Sequence, residues 1–338
     1  MIVVKANGYG HGSLNIAKHL SDEPGITFCV FTIQEGIKLR KEGINNPILI
    51  FSRIHKDWIA LATKYRLWVN ACHQDDLILL DQFHKENGNC PEIHLKFDTG
   101  MTRLGFDPKE TKKVIKYLSE HTYLPVNGIY SHFATADEGD LSYADSQLKK
   151  FNRILDICKH SGKQFRYIHC SNSGAVLNLP NSLFNTVRIG ILAYGIAPSD
   201  EVTMNINVEP VMSFCGPIVN IRRVEAGTQI SYGGVYKTTR STNIGVIQTG
   251  FADGLPRPWY ENGYISYKGD PYNIAGRVCM DQFMVDFGDA VPELGDEVLI
   301  FGKKDEDHIP VETIARKIGT TTYVLLTAIQ GRTNLVTI

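Results

Sequence analysis

A chain of 338 residues, 43% hydrophobic and 21% charged, has the make-up of a soluble globular protein with room for one large α/β domain and a smaller one. A formal net charge of −1 sets up no global field for nucleic acid or a membrane surface, and no apolar run reaches the roughly 18 residues of a membrane-spanning helix. The seven cysteines (Cys29, Cys72, Cys90, Cys158, Cys170, Cys215, Cys279) are odd in number and lack a CxxC pair, which argues against a disulfide framework or a metal site and for reduced thiols in the cytoplasm.

Met1 leads straight into a strand-like segment, so no signal peptide is predicted. Strands are predicted at 2–5, 27–31, 47–51, 67–71, 92–98, 126–133, 166–171 and 186–190. Between them lie segments whose apolar residues recur three and four apart, at 34–43, 75–86, 108–121 and 148–162, with Gly or Pro marking their ends. Strands that alternate with helices suggest a (β/α)8 TIM-like barrel, with a doubly wound sheet as the alternative. The polar residues favour the barrel. Lys5, Lys96, Asp98, His132, Asn172 and Arg188 fall at or just past the C-terminal ends of strands, the rim where barrel enzymes carry their active sites. From about residue 206 the texture changes to β-branched and aromatic runs at 213–224, 243–251, 263–269 and 296–302, with helical pattern returning only near 311–319. The expectation is a barrel over 1–205 and a C-terminal mostly-β domain over 206–338.

The motifs read in two ways each. Lys5, before the glycine-rich "ANGYGHG", is either a strand-end surface cation or a partly desolvated amine free to act as a nucleophile. Ser171, Asn172 and Ser173 suit helix capping, but a helix start after a barrel strand also receives anions. Backbone N–H groups near Gly190 and Ile191 could share the same phosphate, since these turns follow the seventh and eighth strands. Lys96, Asp98 and Arg103 form either a surface ion cluster or a fork for a substrate carboxylate. His132 is structural or catalytic, and Tyr232, beside a Gly-Gly pair, reads in isolation as structural.

Taken together, "VVKANGYGHG", "DTGMTRLGF", "SHFATADE", "CSNSGA", "VRIGILAYG", "SYGGVY", "GFADG" and "GRVCMDQ" resemble, in order and approximate spacing, the alanine racemases. These are isomerases that use pyridoxal 5'-phosphate on a barrel followed by a β-domain. The resemblance runs nearly the whole chain. It implies interconversion of L- and D-alanine, supplying D-alanine for peptidoglycan, in a cytoplasmic homodimer with shared active sites. It implies that Lys5 holds the cofactor as an aldimine. Tyr9, Ser173, Gly190 and Ile191 would bind the phosphate, with His132 and Asn172 in the cofactor site and Arg188 facing the pyridine nitrogen. Arg103 would hold the substrate carboxylate, steadied by Lys96, which many relatives carry as a carbamate. Tyr232 and Met280 would enter from the partner subunit, and His132 would connect Tyr232 to Arg188. Lys5 and Tyr232 would be the two bases, one on each face of the substrate.

The chain departs from the family pattern in three places. Relatives usually carry about one strand and one helix before the lysine motif, so an incomplete N-terminus is expected. Phe251 stands where tyrosine is common, and Gly331 stands where many members have tyrosine before the arginine matched by Arg332. A missing ring at 331 would leave space and ease the entry of serine, unless Gly331 is only a helix stop. Rival readings are a serine or broad-specificity racemase, a decarboxylase on the same architecture, a non-catalytic pyridoxal phosphate homeostasis protein and an inactive remnant. Arg188 argues against the decarboxylase, which needs a carboxylate at the pyridine nitrogen. The β-rich second half argues against the single-barrel homeostasis proteins.

Overall fold

The computed structural model describes residues 1–337. The chain divides into two compact units: Met1–Gly8 with Ser13–Val208, and Tyr9–Gly12 with the segment from Glu209 onward.

In the first unit β1 (Ile2–Val3), β2 (Phe28–Val30), β3 (Ile48–Arg53), β4 (Trp68–Ala71), β5 (Ile93–Lys96), β6 (Val126–Tyr130) and β7 (Tyr167–His169) form a parallel sheet in sequence order. The predicted eighth strand takes its place without a full ladder. Thr186 bridges His169 on one side and Ile189 bridges Ile2 on the other, both parallel, with Val3 N–H donating to the Ile189 carbonyl at 2.8 Å. The sheet thus curls back on itself. Helices follow the strands at Ser13–Leu20, Ile33–Lys41, Lys56–Lys64, Gln74–Asn87, Thr111–Glu120, Ser142–His160 and Ser173–Asn178, whereas the eighth strand is followed by a 3-10 turn, Ile191–Tyr194.

Local chemistry explains these elements. β2, β4 and β5 are buried along their whole length, as expected for parallel strands covered on both faces. The helix at 142–160 buries Ala144, Gln147, Leu148, Phe151, Ile154 and Cys158, a stripe with helical spacing, and burying a phenylalanine such as Phe151 contributes about 2 kcal/mol. Thr32 and Glu35 make a reciprocal capping box at 33–41, and Gly88 closes 74–87 in a left-handed conformation. β5 and β6 stop earlier than predicted, at Lys96 and Tyr130, so Asp98 and His132 lie just past the strand ends.

The second unit contains β8 (Phe214–Val224), β9 (Gln229–Ile230), β10 (Tyr236–Lys237), β11 (Thr242–Ile247), β12 (Tyr264–Tyr267), β13 (Asp270–Ile274), β14 (Phe283–Asp286), β15 (Glu297–Lys304) and β16 (Asp307–Ile309). They run antiparallel in the order β12-β13-β14-β11-β8-β15-β16, and Ser266 pairing with Leu299 closes β12 onto β15. β9 and β10 form a separate hairpin. Alternate residues Phe214, Gly216 and Ile218 of β8 are buried, the period of a half-covered strand. Helices Val311–Lys317 and Thr322–Ala328 complete the unit.

Candidate active site

The Lys5 motif folds into an unusual turn. After β1 and the fully buried Val4, the chain takes left-handed φ and ψ at Ala6 (51°, 50°), Asn7 (54°, 41°) and Gly8 (65°, 43°), and Tyr9 continues at φ 52°. Each non-glycine residue in that region costs about 1 kcal/mol or more, so the surroundings must hold it there. The Ala6 N–H donates to Glu35 Oε1 at 2.7 Å, the Ser13 N–H donates to Asn7 Oδ1 at 3.2 Å, and the Gly8 N–H donates to the Val4 carbonyl at 2.9 Å. Glu35 Oε2 meanwhile accepts from the Phe31 and Thr32 N–H groups, both at 2.9 Å. One carboxylate therefore caps a helix and pins the Lys5 turn. Little in the linear sequence marks Glu35. Its only signal was its place three residues after Thr32 in a capping box. Burial lowers the Lys5 amine below its ordinary range, and the charge of Arg103 acts in the same direction.

Deeper in the first unit lies Arg188, only 3% exposed. Its Nη1 donates to His169 Nδ1 at 2.8 Å, and its Nη2 reaches the carbonyls of Ser131 (2.7 Å) and Cys170 (3.1 Å) and His132 Nδ1 (3.1 Å). Among the described residues these bonds use both Nη atoms and leave Nε uncommitted. A guanidinium is a donor only, so the ring nitrogens facing it are acceptors. His169 then carries its proton on Nε2 and donates to His94 Nδ1 at 3.0 Å, which leaves the proton of His94 on Nε2. His132 likewise carries its proton on Nε2. All three rings are neutral. Burial, followed by the charge of Arg188, pushes His132 and His169 well below the ordinary histidine range and His94 down to about 3. Gly128 makes room for this arrangement, since a Cβ there would lie 2.2 Å from His94 Nδ1. The Tyr130 ring stacks on His169 at 4.7 Å with Arg188 5.2 Å from its centroid. His94, His169 and Tyr130 escaped sequence reasoning, because strand residues of these types read as ordinary core.

Lys96 closes β5, 8% exposed, with its Nζ 5.6 Å from the centroid of the Tyr130 ring. Burial, then the charges of Arg103 and Arg188, bring its amine down to about 8. Asp98 shapes the loop that follows: its carboxylate accepts from the N–H groups of Gly100 (2.9 Å), Thr102 (3.0 Å) and Arg103 (2.7 Å). Burial alone would raise the Asp98 carboxyl, and these three donors hold it below its ordinary value instead. Arg103 is exposed on this loop. The charges of Arg188, Arg103, Lys96 and Lys5 all act to lower His132, so these groups share one electrostatic neighbourhood.

The two turns after β7 and after 186–189 are joined by Ser173. Its Oγ accepts from the Gly190 N–H at 3.1 Å and the Leu192 N–H at 3.4 Å. Asn172 caps the helix at 173–178, its Oδ1 accepting from the Ala175 N–H at 3.0 Å, and Ile191 is buried.

The other candidates belong to the second unit. Tyr9 is buried there with its ring 5.9 Å from that of Tyr323. Tyr232 (68% exposed) sits at the tip of the β9–β10 hairpin, and Met280 (56% exposed) sits on the loop before β14. The Ser231 hydroxyl links these loops by donating to the Arg277 carbonyl at 2.7 Å. Phe251 and Ala252 donate N–H groups to the carbonyls of Cys279 (3.1 Å) and Met280 (3.0 Å). Arg332 grips the same region, with Nε 2.6 Å from Asp253 Oδ1 and Nη2 2.7 Å from Asp281 Oδ1. Gly331 takes φ 76° with open space where a Cβ would point.

Two family models match this chain: "Alanine racemase, N-terminal domain" over residues 1–198 and "Alanine racemase, C-terminal domain" over 211–337. The alanine racemase of Desulforamulus reducens is 37% identical over 335 residues, covering 98% of this chain and 90% of that protein. Among solved structures, the alanine racemase of Clostridium difficile 630 superposes with a TM-score of 0.91 at 34% identity, covering 97% of this chain and 86% of the other. The alanine racemase of Bartonella henselae, solved with covalently bound pyridoxal phosphate, gives 0.87 at 26% identity, covering 98% and 90%. With family models spanning both halves and a relative of this identity aligned along almost its whole length, the chain belongs to the alanine racemase family of enzymes.

Proposed function

We propose that this chain interconverts L- and D-alanine with pyridoxal 5'-phosphate, in the cytoplasm, and so supplies D-alanine for peptidoglycan. The observation that carries this reading is the buried Arg188, bonded to His132 Nδ1 at 3.1 Å and set with Lys96 against the same Tyr130 ring, with the charge of Arg103 acting on both His132 and Lys96. Such a neighbourhood suits a phosphate and a carboxylate, the anionic groups of the cofactor and the amino acid.

The residues present fit the cofactor. It needs a nucleophilic amine, and burial beside the charge of Arg103 lowers Lys5 in the direction that favours one. It needs a phosphate seat, for which the turn where Ser173 Oγ accepts the Gly190 N–H is the candidate, with Ile191 next in the chain and Asn172 capping the adjoining helix. It needs a partner at the ring nitrogen, and the buried Arg188 keeps Nε for that acceptor. When bound, the cofactor supplies an electron sink for the charge left on the α-carbon as its proton departs. Because Arg188 donates and cannot accept, it would keep the ring nitrogen of a bound cofactor unprotonated, which would moderate the electron sink and limit side reactions.

The chain's own groups do the rest. Lys5 holds the cofactor and carries a proton at Nζ on one face of the substrate, and Tyr232 of a second copy carries one at Oη on the other. Arg103 orients the substrate carboxylate, with Lys96 beside it. Met280 crowds the substrate methyl group. His132, fixed with Nε2–H by Arg188, offers that donor toward Tyr232. Borohydride reduction of the loaded enzyme followed by peptide mapping should place the pyridoxyl group on Lys5, and the loaded enzyme should form D-alanine from L-alanine. A label found elsewhere and absent from Lys5 would sink the assignment.

A further inference from the structure

Ser231 holds the backbone at φ 64°, ψ −175°, a region that glycine alone occupies without cost. Glycine is at home in this loop, since Gly233 (φ 75°) and Gly234 (φ 56°) follow at once. A serine in that conformation persists only where its surroundings force it there. The Ser231 hydroxyl donates to the Arg277 carbonyl at 2.7 Å and lies 3.7 Å from Cys279 Sγ. Gly276 leaves the space, because a Cβ there would fall 2.7 Å from Ser231 Cβ and 2.8 Å from the Ile230 carbonyl oxygen. On the other side the hairpin is closed by the pairing of Ile230 with Tyr236. Tyr232 follows directly, exposed at the tip. The segment that Ser231 grips runs on through Cys279 to Met280, whose carbonyl is itself held by the Ala252 N–H.

We infer that Ser231 is a positioning residue for Tyr232: its strained backbone and its hydroxyl bond to Arg277 set the direction in which the Tyr232 side chain leaves the loop and fix it relative to Met280. This rests on the reading of Tyr232 as the second proton carrier. The hydroxyl touches neither substrate nor cofactor in this account; it acts through the tyrosine alone. A loosened loop would leave the Lys5 face untouched and slow the tyrosine face.

The test compares Ser231→Ala and Ser231→Gly with Tyr232→Phe, each as the cofactor-loaded full chain. The readouts are kcat and KM in both directions, the kinetic isotope effect of α-deuterated L- and D-alanine, and Tm. Tyr232→Phe should be nearly inactive. The two Ser231 variants should keep their fold and KM and lose kcat by roughly ten- to a hundredfold, the scale set by small misplacements of a reacting group. Their isotope effect should rise only in the direction in which Tyr232 removes the α-proton. Ser231→Gly carries the test if Ser231→Ala fails to fold, because glycine adopts this backbone freely. Parental kcat in Ser231→Gly beside an inactive Tyr232→Phe would overturn the positioning role alone. An isotope effect raised equally in both directions would overturn it too, since it would report a general loosening. A fully active Tyr232→Phe would instead remove the reading beneath it, and the proposal with it.

Discussion

Lys96 is the residue whose chemistry is set most completely by its surroundings. It is buried beside two guanidinium groups, and those charges that discourage an ammonium would welcome an anion. A carbamate formed from the free amine and carbon dioxide meets that demand. The pKa is lowered from 10.5 to about 8, so the reactive free amine becomes abundant as pH rises toward 8, far below where an ordinary lysine would supply it. We therefore expect a carbamate carbon signal on incubation with ¹³C-bicarbonate, growing between neutral pH and about 8. Lys96→Met should lack the signal and bind alanine more weakly, through a less firmly placed Arg103. A spectrum without a carbamate carbon in the parent would leave Lys96 as a plain buried amine.

At the scale of an element, the first turn of the helix at 33–41 and the Lys5 turn depend on the same carboxylate. Glu35→Ala removes the acceptor of three backbone N–H groups at once. A cap is typically worth about 1 kcal/mol, and the left-handed turn loses one of its anchors besides, so a loss of roughly 2 kcal/mol in urea unfolding is expected. The same variant should bind the cofactor more weakly, because Lys5 begins the turn that Glu35 steadies. Glu35→Gln keeps one acceptor oxygen but turns a donor toward the other N–H groups, so it should recover only part of the cofactor affinity. If Glu35→Ala costs stability while cofactor affinity stays at the parental level, the turn is held by Asn7 and Val4 without help.

For the whole molecule, the proposed active site draws Lys5 and Tyr232 from different copies. Lys5→Ala and Tyr232→Ala chains should each be nearly inactive alone. When co-refolded they should regain activity, because a mixed dimer contains one site with both groups intact. Verified mixed dimers without recovered activity would argue for sites built within one chain. The cofactor should also stabilise the fold by mass action, adding about 2.7 kcal/mol at a hundredfold excess over Kd. That gain should be absent from Lys5→Ala if Lys5 carries most of the affinity.

Much of this was legible in the linear sequence. Strand-end Lys5, Lys96, His132 and Arg188 stood out because they gather on the rim where barrel strands end, although each alone also allowed a structural reading, and the chain order of the motifs was enough to suggest the family. Helices such as 142–160 were visible because burying one stripe demands a 3.6-residue period. Other features depend on approaches between distant residues or on backbone angles, which composition does not encode. The eighth strand closes the curled sheet through single bridges to its neighbours on both sides. His94 and His169 become a hydrogen-bonded pair with fixed tautomers only when Gly128 admits the His94 ring and Arg188 fixes the protons. Gly331 takes a left-handed φ of 76° beyond Ile329, the cap of the helix at 322–328, and neither feature is visible in the linear sequence. Ser231 resembles any turn serine until φ 64° marks it as strained. By itself the sequence determined which groups were available and where along the strands they fell, since periodicity and residue type are local. Tertiary structure alone decided which of them share a proton, a charge or a carbonyl, because pKa values, tautomers and strain arise from neighbours far away along the chain.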